Sequence, residues 1–305
     1  MKRYDSLIIG SGPAGLTAAM YLARFGFSIA VIEKSSSGGM LLQTGDIENY
    51  PGLPPIKGYA LADAMDEQLR RYPVDYLAGQ VVSLEAHGGY SRLLLDDAWL
   101  EAGTVIICSG LQHRRLGVPG EERLLGNGIS HCALCDGQFF RDQVVAVVGG
   151  GNAALDESLY LSSIAEKLHL IHRRDAFRAD KIYQKRILAV PNIVVHYNTI
   201  ITAVHGSDFL TGITLSSPGE EDALLPVNGL FVLIGHNPAR EFFPAALQTD
   251  QEGFIITDAE MRTNLPGIFA AGDIRSKLCR QIATAVGDGA TAAKAAQVYL
   301  ENIHV

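Results

Sequence analysis

The chain is poor in cysteine, with four in 305 residues. Two of them, Cys132 and Cys135, form a Cys-x-x-Cys pair in the run His131-Cys132-Ala133-Leu134-Cys135-Asp136-Gly137. A structural zinc site needs four ligands, and one such pair supplies half of them. The remaining cysteines, Cys108 and Cys279, have no paired spacing, which weakens the zinc reading. In a reducing compartment a Cys-x-x-Cys pair is more often redox-active, because its short loop lets thiol and disulfide interconvert. Positive charge is also scarce: 25 Lys and Arg against 33 Asp and Glu leave a net charge of −8. That balance argues against a nucleic-acid binder or a protein held to membranes by basic residues. No apolar run approaches the roughly 18 to 20 residues of a spanning helix. Met1-Lys2-Arg3 and the apolar Leu7 to Ile9 imitate a signal peptide, but Asp5 interrupts them and Gly10, Gly12, Pro13 and Gly15 break the run. The expectation is a cytoplasmic protein with no nucleic-acid or membrane partner.

A chain of this length suffices for two domains, each with its own core. Glycine is plentiful, at 32 residues, and gathers at strand ends, where a backbone can approach a phosphate. Ser6 to Gly10 predicts a strand, and Gly12 to Gly26 a helix with Leu16, Ala19, Met20 and Ala23 on one face. Between them lies Gly10-x-Gly12-x-x-Gly15. The first glycine permits a tight turn, the second lets the backbone approach a pyrophosphate, and the third lets helix and strand pack closely. A second strand, Ser28 to Ile32, ends in Glu33, an acid placed to accept hydrogen bonds from a ribose. A Gly-, Pro- and Ser-rich stretch follows from Ser35, of a length that is usually functional. Beyond it the pattern predicts a helix over Asp63 to Tyr72 and strands at Val81 to Leu84, Arg92 to Leu95 and Val105 to Cys108.

The fingerprint then recurs. Gln143 to Val148 predicts a strand, followed by Gly149-x-Gly151-x-x-Ala154 and a helix running through Glu157. The spacing that leads from Gly10 to Glu33 leads from Gly149 to His172, followed by Arg173 and Arg174. Arginines pair bidentately with a 2′-phosphate, so this basic cluster favours NADPH over NADH, with Arg178 as a further contact. His113-Arg114-Arg115 repeats the tripeptide after a strand ending in Ser109-Gly110 and is not assigned to the cofactor. Further strands are predicted at Ile193 to Val195, Ile213 to Ser216 and Leu230 to Gly235. Near the C-terminus a strand, Gly267 to Ala271, runs into Gly272-Asp273, and an Ala-rich helix starts near Arg280-Gln281. An acid there suits the ribitol hydroxyls of a flavin, or it caps the helix.

Together these motifs resemble one family. GSGPAG at 10 to 15, ENYPG at 48 to 52, CALCDG at 132 to 137, GGGN at 149 to 152, HRRDAFRA at 172 to 179, IGHNP at 234 to 238, AGD at 271 to 273 and RQ at 280 to 281 follow the order and spacing of the low-molecular-weight thioredoxin reductases. The resemblance covers nearly the whole chain. It implies an α/β protein of two Rossmann-like three-layer dinucleotide-binding domains, the FAD/NAD(P)-binding fold. Residues 1–114 and 241–305 would bind FAD, and residues 115–240 would bind NADPH and carry the redox disulfide. The FAD contacts implied are Gly10, Ser11, Gly12, Pro13, Ala14, Gly15, Glu33, Lys34, Gly39, Met40, Leu41, Thr44, Asn49, Val82, Ser109, Gly110, Gly272, Asp273, Arg280, Gln281 and Ile282. For NADPH they are Gly151, Asn152, Ala153, His172, Arg173, Arg174, Arg178, Ile234 and Gly235.

Electrons are then expected to pass from NADPH to FAD, to the Cys132–Cys135 disulfide, and on to thioredoxin or a thioredoxin-like protein. Cys135 would face the flavin, Cys132 would attack the substrate disulfide, and Asp136 would donate and accept the proton. The resemblance also implies a homodimer, no metal, and rotation of one domain against the other about Leu116 to Gly120 and Asn237 to Arg240. Asn127 and Gln138 depart from the family pattern of a basic residue before the motif and an aromatic after it, so the choice of thioredoxin-like partner stays open. Flavin-dependent dithiol oxidases are similar but usually have His where Asp136 stands. A non-catalytic FAD/NADPH redox sensor is the remaining alternative. Cys108 and Cys279 are expected to be buried fillers.

Overall fold

The computed structural model describes residues 2–303. Two compact units divide the chain: Met1–Gln112 with Asn237–Val305, and His113–His236 between them. These crossings lie a few residues ahead of the 114/115 and 240/241 boundaries drawn from the sequence.

The first unit opens with β1 (Lys2–Ile9), α1 (Pro13–Arg24) and β2 (Ile29–Glu33). Leu7 and Ile9 of β1 enter one core and Ile8 the other, as the pleat dictates for a strand covered on both faces. Pro13 at the start of α1 is tolerated because its missing N–H would have no helical partner. Next come β3 (Asp46–Ile47), β4 (Ile56–Lys57), α2 (Gly58–Leu69), β5 (Asp75–Ala78), β6 (Val81–His87), β7 (Tyr90–Leu95) and β8 (Ala98–Ile107). The main sheet has the order β5-β2-β1-β8-β7-β6, parallel from β5 to β8 and antiparallel beyond. α2 begins ahead of the expected Asp63 because Leu61 and Ala62 pack with Leu41 and Ile47 in a small core of their own. That packing overrides the preference of an aspartate for a helix start.

β9 (Leu111–His113) leads out. The second unit contains α3 (Glu121–Leu124), β10 (Ile129–Ser130), α4 (Ala133–Asp136), β11 (Val144–Gly149), α5 (Asn152–Ser162), β12 (Lys167–Ile171), α6 (Lys181–Leu188) and β13 (Ile193–His196). It continues with β14 (Ile200–His205), β15 (Gly212–Ser216), β16 (Ala223–Leu225) and β17 (Gly229–Leu233). β10-β17-β11-β12-β13 form a parallel sheet, and β14-β15-β16 an antiparallel one. Val145 and Val147 pack with Leu155, Leu161 and Ile187 of the helices, while Ala146 and Val148 pack with Ile201, Val204 and Ile213 of the meander. Helices, parallel sheet and meander therefore make three layers.

β18 (His236–Pro238) pairs with β9 in a two-stranded ribbon as the chain crosses back. In the first unit, β19 (Ile268–Ala270) pairs with β8, and α7 (Ile282–Ile303) packs on α1. A Cβ on Gly289 of α7 would lie 2.3 Å from the Ala14 carbonyl oxygen, so the close approach of the two helices requires glycine. No helix among the described residues is long and apolar enough to cross a membrane.

Candidate active site

Gly10 takes φ +99°, and a Cβ on Gly15 would lie 1.9 Å from the Gly10 carbonyl oxygen. A side chain at Gly15 would therefore push α1 away from the turn. This turn forms one wall of a cavity of about 570 Å³ in the first unit. Of the expected FAD contacts, Gly10, Gly12, Pro13, Ala14, Glu33, Lys34, Gly39, Met40, Leu41, Thr44, Asn49, Ser109, Gly110, Gly272, Asp273, Arg280, Gln281 and Ile282 line it. Ser11, Gly15 and Val82 do not. Ser11 is buried and donates to Glu33 Oε2 from both its N–H and its hydroxyl, each at 2.9 Å. Val82 is half exposed, and its neighbour Val81 instead lines a smaller cavity of about 210 Å³ that also borders Gly10 and Glu33. Adjacent strand residues point to opposite faces, which turns Val82 away.

Glu33 is better partnered than its expected role suggests. Ser35 donates to Oε1 from its N–H at 3.0 Å and its hydroxyl at 3.3 Å, so with Ser11 all of the carboxylate's acceptor sites are engaged. A ribose hydroxyl would take the place of the Ser35 hydroxyl, the longest of the four bonds. Asp273 presents the opposite case. Its Oδ1 is buried with no hydrogen-bond partner, and Lys277 Nζ stands 3.6 Å away, beyond bonding distance. Burial pushes this carboxyl up, against the pull of Lys277. An unpaired buried acceptor costs about 1–3 kcal/mol, and a ligand hydroxyl donating to Oδ1 would remove that penalty. The residues thus fit a flavin nucleotide. Asp288 holds the turn that carries Asp273, accepting from the Gly272 N–H at 3.1 Å and pairing with Arg275 at 2.8 Å and Lys277 at 3.0 Å. Cys108 is a buried filler with its thiol pushed up by burial. Cys279 is exposed, contrary to expectation, because it lies in the irregular segment ahead of α7.

In the second unit Gly151 caps α5, with open space where its Cβ would be. Asn152 exchanges two hydrogen bonds with Asp180, at 2.9 and 2.8 Å, and Ala153 is exposed on the first turn of α5. His172 sits differently from the three arginines. Its ring is buried against Gly150, where a Cβ would lie 2.2 Å from it, and Nε2 is 3.0 Å from the Ala176 carbonyl. His172 thus packs beneath the turn that the arginines follow. Arg173, Arg174 and Arg178 are exposed, and their guanidinium groups make no hydrogen bond or ion pair to a described residue. The Arg178 and Ala179 N–H groups donate to the Gly150 carbonyl at 2.9 and 3.1 Å, which folds the basic segment back onto the glycine turn. Ile234 and Gly235 follow β17, whose Leu233 pairs with Gly149, so they stand at the same C-terminal sheet edge, where open α/β sheets bind ligands.

Cys132 and Cys135 form a disulfide with a Cα–Cα distance of 5.4 Å. Cys132 is buried and caps α4, with its Sγ accepting the Cys135 N–H at 3.1 Å; Cys135 is exposed. Asp136 accepts from the Ser130 hydroxyl at 2.7 Å, and the same hydroxyl accepts the Cys132 N–H at 3.0 Å. Two partners of the loop escaped the sequence reading. Ser130 has a signal in its place two residues before Cys132. Glu157 has none: it lies on α5, and its Oε2 accepts the Ala133 N–H at 2.7 Å. Burial pushes the Glu157 carboxyl up to about 7.

A redox disulfide on one dinucleotide-type fold, with a second such fold in the same chain, defines a flavin- and nicotinamide-linked disulfide oxidoreductase. The profile of the pyridine nucleotide-disulphide oxidoreductases matches residues 4–289. A thioredoxin reductase of Listeria innocua is 40% identical over 304 residues, covering 99% of this chain and 95% of that one. One from Streptomyces clavuligerus is 42% identical over 300 residues, covering 96% and 93%. The crystal structure of Lactococcus lactis thioredoxin reductase, in a state described as the FR conformation, matches with a TM-score of 0.90 at 40% identity, covering 98% of this chain and 99% of that one. The chain belongs to the pyridine nucleotide-disulphide oxidoreductase family and, within it, to the low-molecular-weight thioredoxin reductases, whose cofactors are FAD and NADPH.

Proposed function

We propose that the chain is an NADPH-dependent disulfide reductase that passes electrons through FAD and the Cys132–Cys135 disulfide to thioredoxin or a thioredoxin-like protein. The observation that carries this reading is the disulfide, with Asp136 and Ser130 beside it, on the same unit as the three unpaired arginines. Residues 1–114 and 241–305 are the FAD-binding domain and residues 115–240 the NADPH-binding domain. The protein works in the cytoplasm as a homodimer.

Bound FAD supplies a two-electron relay between a nicotinamide and a disulfide. Asp273 and Glu33 hold its hydroxyls, and Arg173, Arg174 and Arg178 hold the 2′-phosphate of NADPH. Cys132–Cys135 would receive two electrons, opening its S–S bond, and Cys135 would be the sulfur that takes them from the flavin. Cys132 then attacks the disulfide of the partner protein. Asp136 donates and recovers the proton, oriented by the Ser130 hydroxyl.

The FAD-loaded protein mixed anaerobically with NADPH should bleach, and oxidised thioredoxin added next should restore the colour over repeated turnovers. Oxygen uptake with small dithiols would replace this reading with a dithiol oxidase, and bleaching without turnover would replace it with a sensor.

A further inference from the structure

α5 serves two sites of the second unit. Its N-terminus carries the glycine turn, and its side is the bed of the redox loop. Gln138 Nε2 donates to the Tyr160 hydroxyl at 3.1 Å, and a Cβ on Gly137 would meet Leu161, Tyr160 and Ile164 at 3.1 to 3.3 Å. The shortest tie is the 2.7 Å bond from the Ala133 N–H to Glu157. Ala133 is buried and opens α4 directly after Cys132. Disulfide reduction as described above makes no use of this carboxylate.

We propose that Glu157 is a positioning residue for the redox pair: its carboxylate anchors the Ala133 amide between the two cysteines and takes up a proton from water when the disulfide is reduced. The proposal rests on the reading of the chain as a disulfide reductase. In that step the S–S bond accepts two electrons and breaks. One sulfur binds a proton and becomes a thiol, and the other keeps its electron pair as a thiolate. The new negative charge arises on the loop whose Ala133 N–H is bonded to Glu157; it disfavours the Glu157 carboxylate, and a proton from water offsets it. Burial prepares the group, raising its pKa to about 7, with the Ala133 N–H pulling down and Asp156 adding to the rise.

The elements packed on α5 bring little countercharge to Glu157. Asp136 on α4 is bonded to Ser130, and β11 has no titratable side chain. β12 offers Lys167 and His169, which interact with each other and with His196. α6 carries Lys181, Lys185 and Arg186, of which Arg186 acts on Asp156.

The test uses FAD-loaded full-length protein without NADPH or thioredoxin. Wild type and E157Q are equilibrated anaerobically in dithiothreitol redox buffers between about pH 6 and 8, and the reduced fraction of Cys132 and Cys135 is read by alkylation and mass spectrometry. Gln still accepts the Ala133 N–H but takes up no proton. Lowering the pH should therefore favour the dithiol more in wild type than in E157Q, by about threefold for half a unit of coupling. E157D tests position, because its shorter arm gives up Ala133; hydrogen exchange in the 129–140 peptide should quicken in E157D and not in E157Q. Parallel pH profiles for wild type and E157Q, or unchanged exchange in E157D, would overturn the proposal. The assay omits NADPH and thioredoxin, so a failure of wild-type turnover with thioredoxin bears on the functional reading alone.

Discussion

Arg173 and Arg174 stand exposed after β12 with no described partner for either guanidinium group, an arrangement that leaves both available to a phosphate. Each charge-assisted hydrogen bond contributes on the order of 1.5–3 kcal/mol. R173A/R174A should therefore raise the KM for NADPH by about 10- to 100-fold with little change in kcat. The KM for NADH, which has no 2′-phosphate, should hardly move. Steady-state kinetics with both nucleotides check this, and an equal rise for the two would show that the arginines do not read the 2′-phosphate. His172, from the same tripeptide, shows where the sequence was silent. Its spacing placed it at the end of the second strand, but only the packing of its ring on Gly150 decides that it faces inward.

The ribbon of β9 and β18 ends in a cluster of imidazoles, all within the second unit, with His113 stacked on His131 and tilted against His236. The His113 ring lies 4.7 Å from His131 and 4.7 Å from His236, and His131 directly precedes Cys132. Burial, and then the neighbouring His236 and His131, push His113 down from 6.5 to about 4. Between those values the unfolded chain binds a proton that the folded unit refuses. Stability is thus full above about 6.5 and declines as the pH falls toward 4, by on the order of 2 kcal/mol after allowance for screening at a half-buried ring. The urea midpoint should hold from about pH 8 to 7 and fall below about 6.5, and His113→Asn should flatten that fall; an unaltered profile in the variant would remove the stack as its source. Elements with a clean period were legible without coordinates: β2, β11, β17 and the Leu7–Ile9 end of β1 are largely apolar because parallel strands are covered on both faces. β5, β12, α6, β14 and β16 were not, because their polar residues, such as Lys167 and His169 in β12, break the pattern and their places depend on partners distant in sequence. β8 is longer than expected because its first half, with Trp99 and Glu101, is held by β7. The site was legible where glycine spacing carries it and obscure at Glu157, whose partner lies on another element.

The first unit has two large cores and the small one around Leu41 and Leu61, the second unit has two, and the chain passes between the units only at 112/113 and 236/237. Each unit therefore has apolar cores of its own, and the chain joins the two at only two crossings. Within the second unit the disulfide loop and the arginine segment are fixed through α5, by the Glu157 bond to Ala133 on one side and the Asn152–Asp180 pair on the other. Two groups held rigidly on one body approach a single flavin ring in alternation if each needs the same space. The electron path proposed above would call for hinge motion about residues 116–120 and 237–240 to supply that alternation. A crosslink that fastens the two units should then preserve either the bleaching of FAD by NADPH or the transfer of electrons from reduced flavin to thioredoxin, and abolish the other. Rapid-mixing absorbance reads the first half-reaction and thioredoxin thiol titration after dithionite reduction reads the second. Multiple turnover at the uncrosslinked rate would show that no such motion is needed.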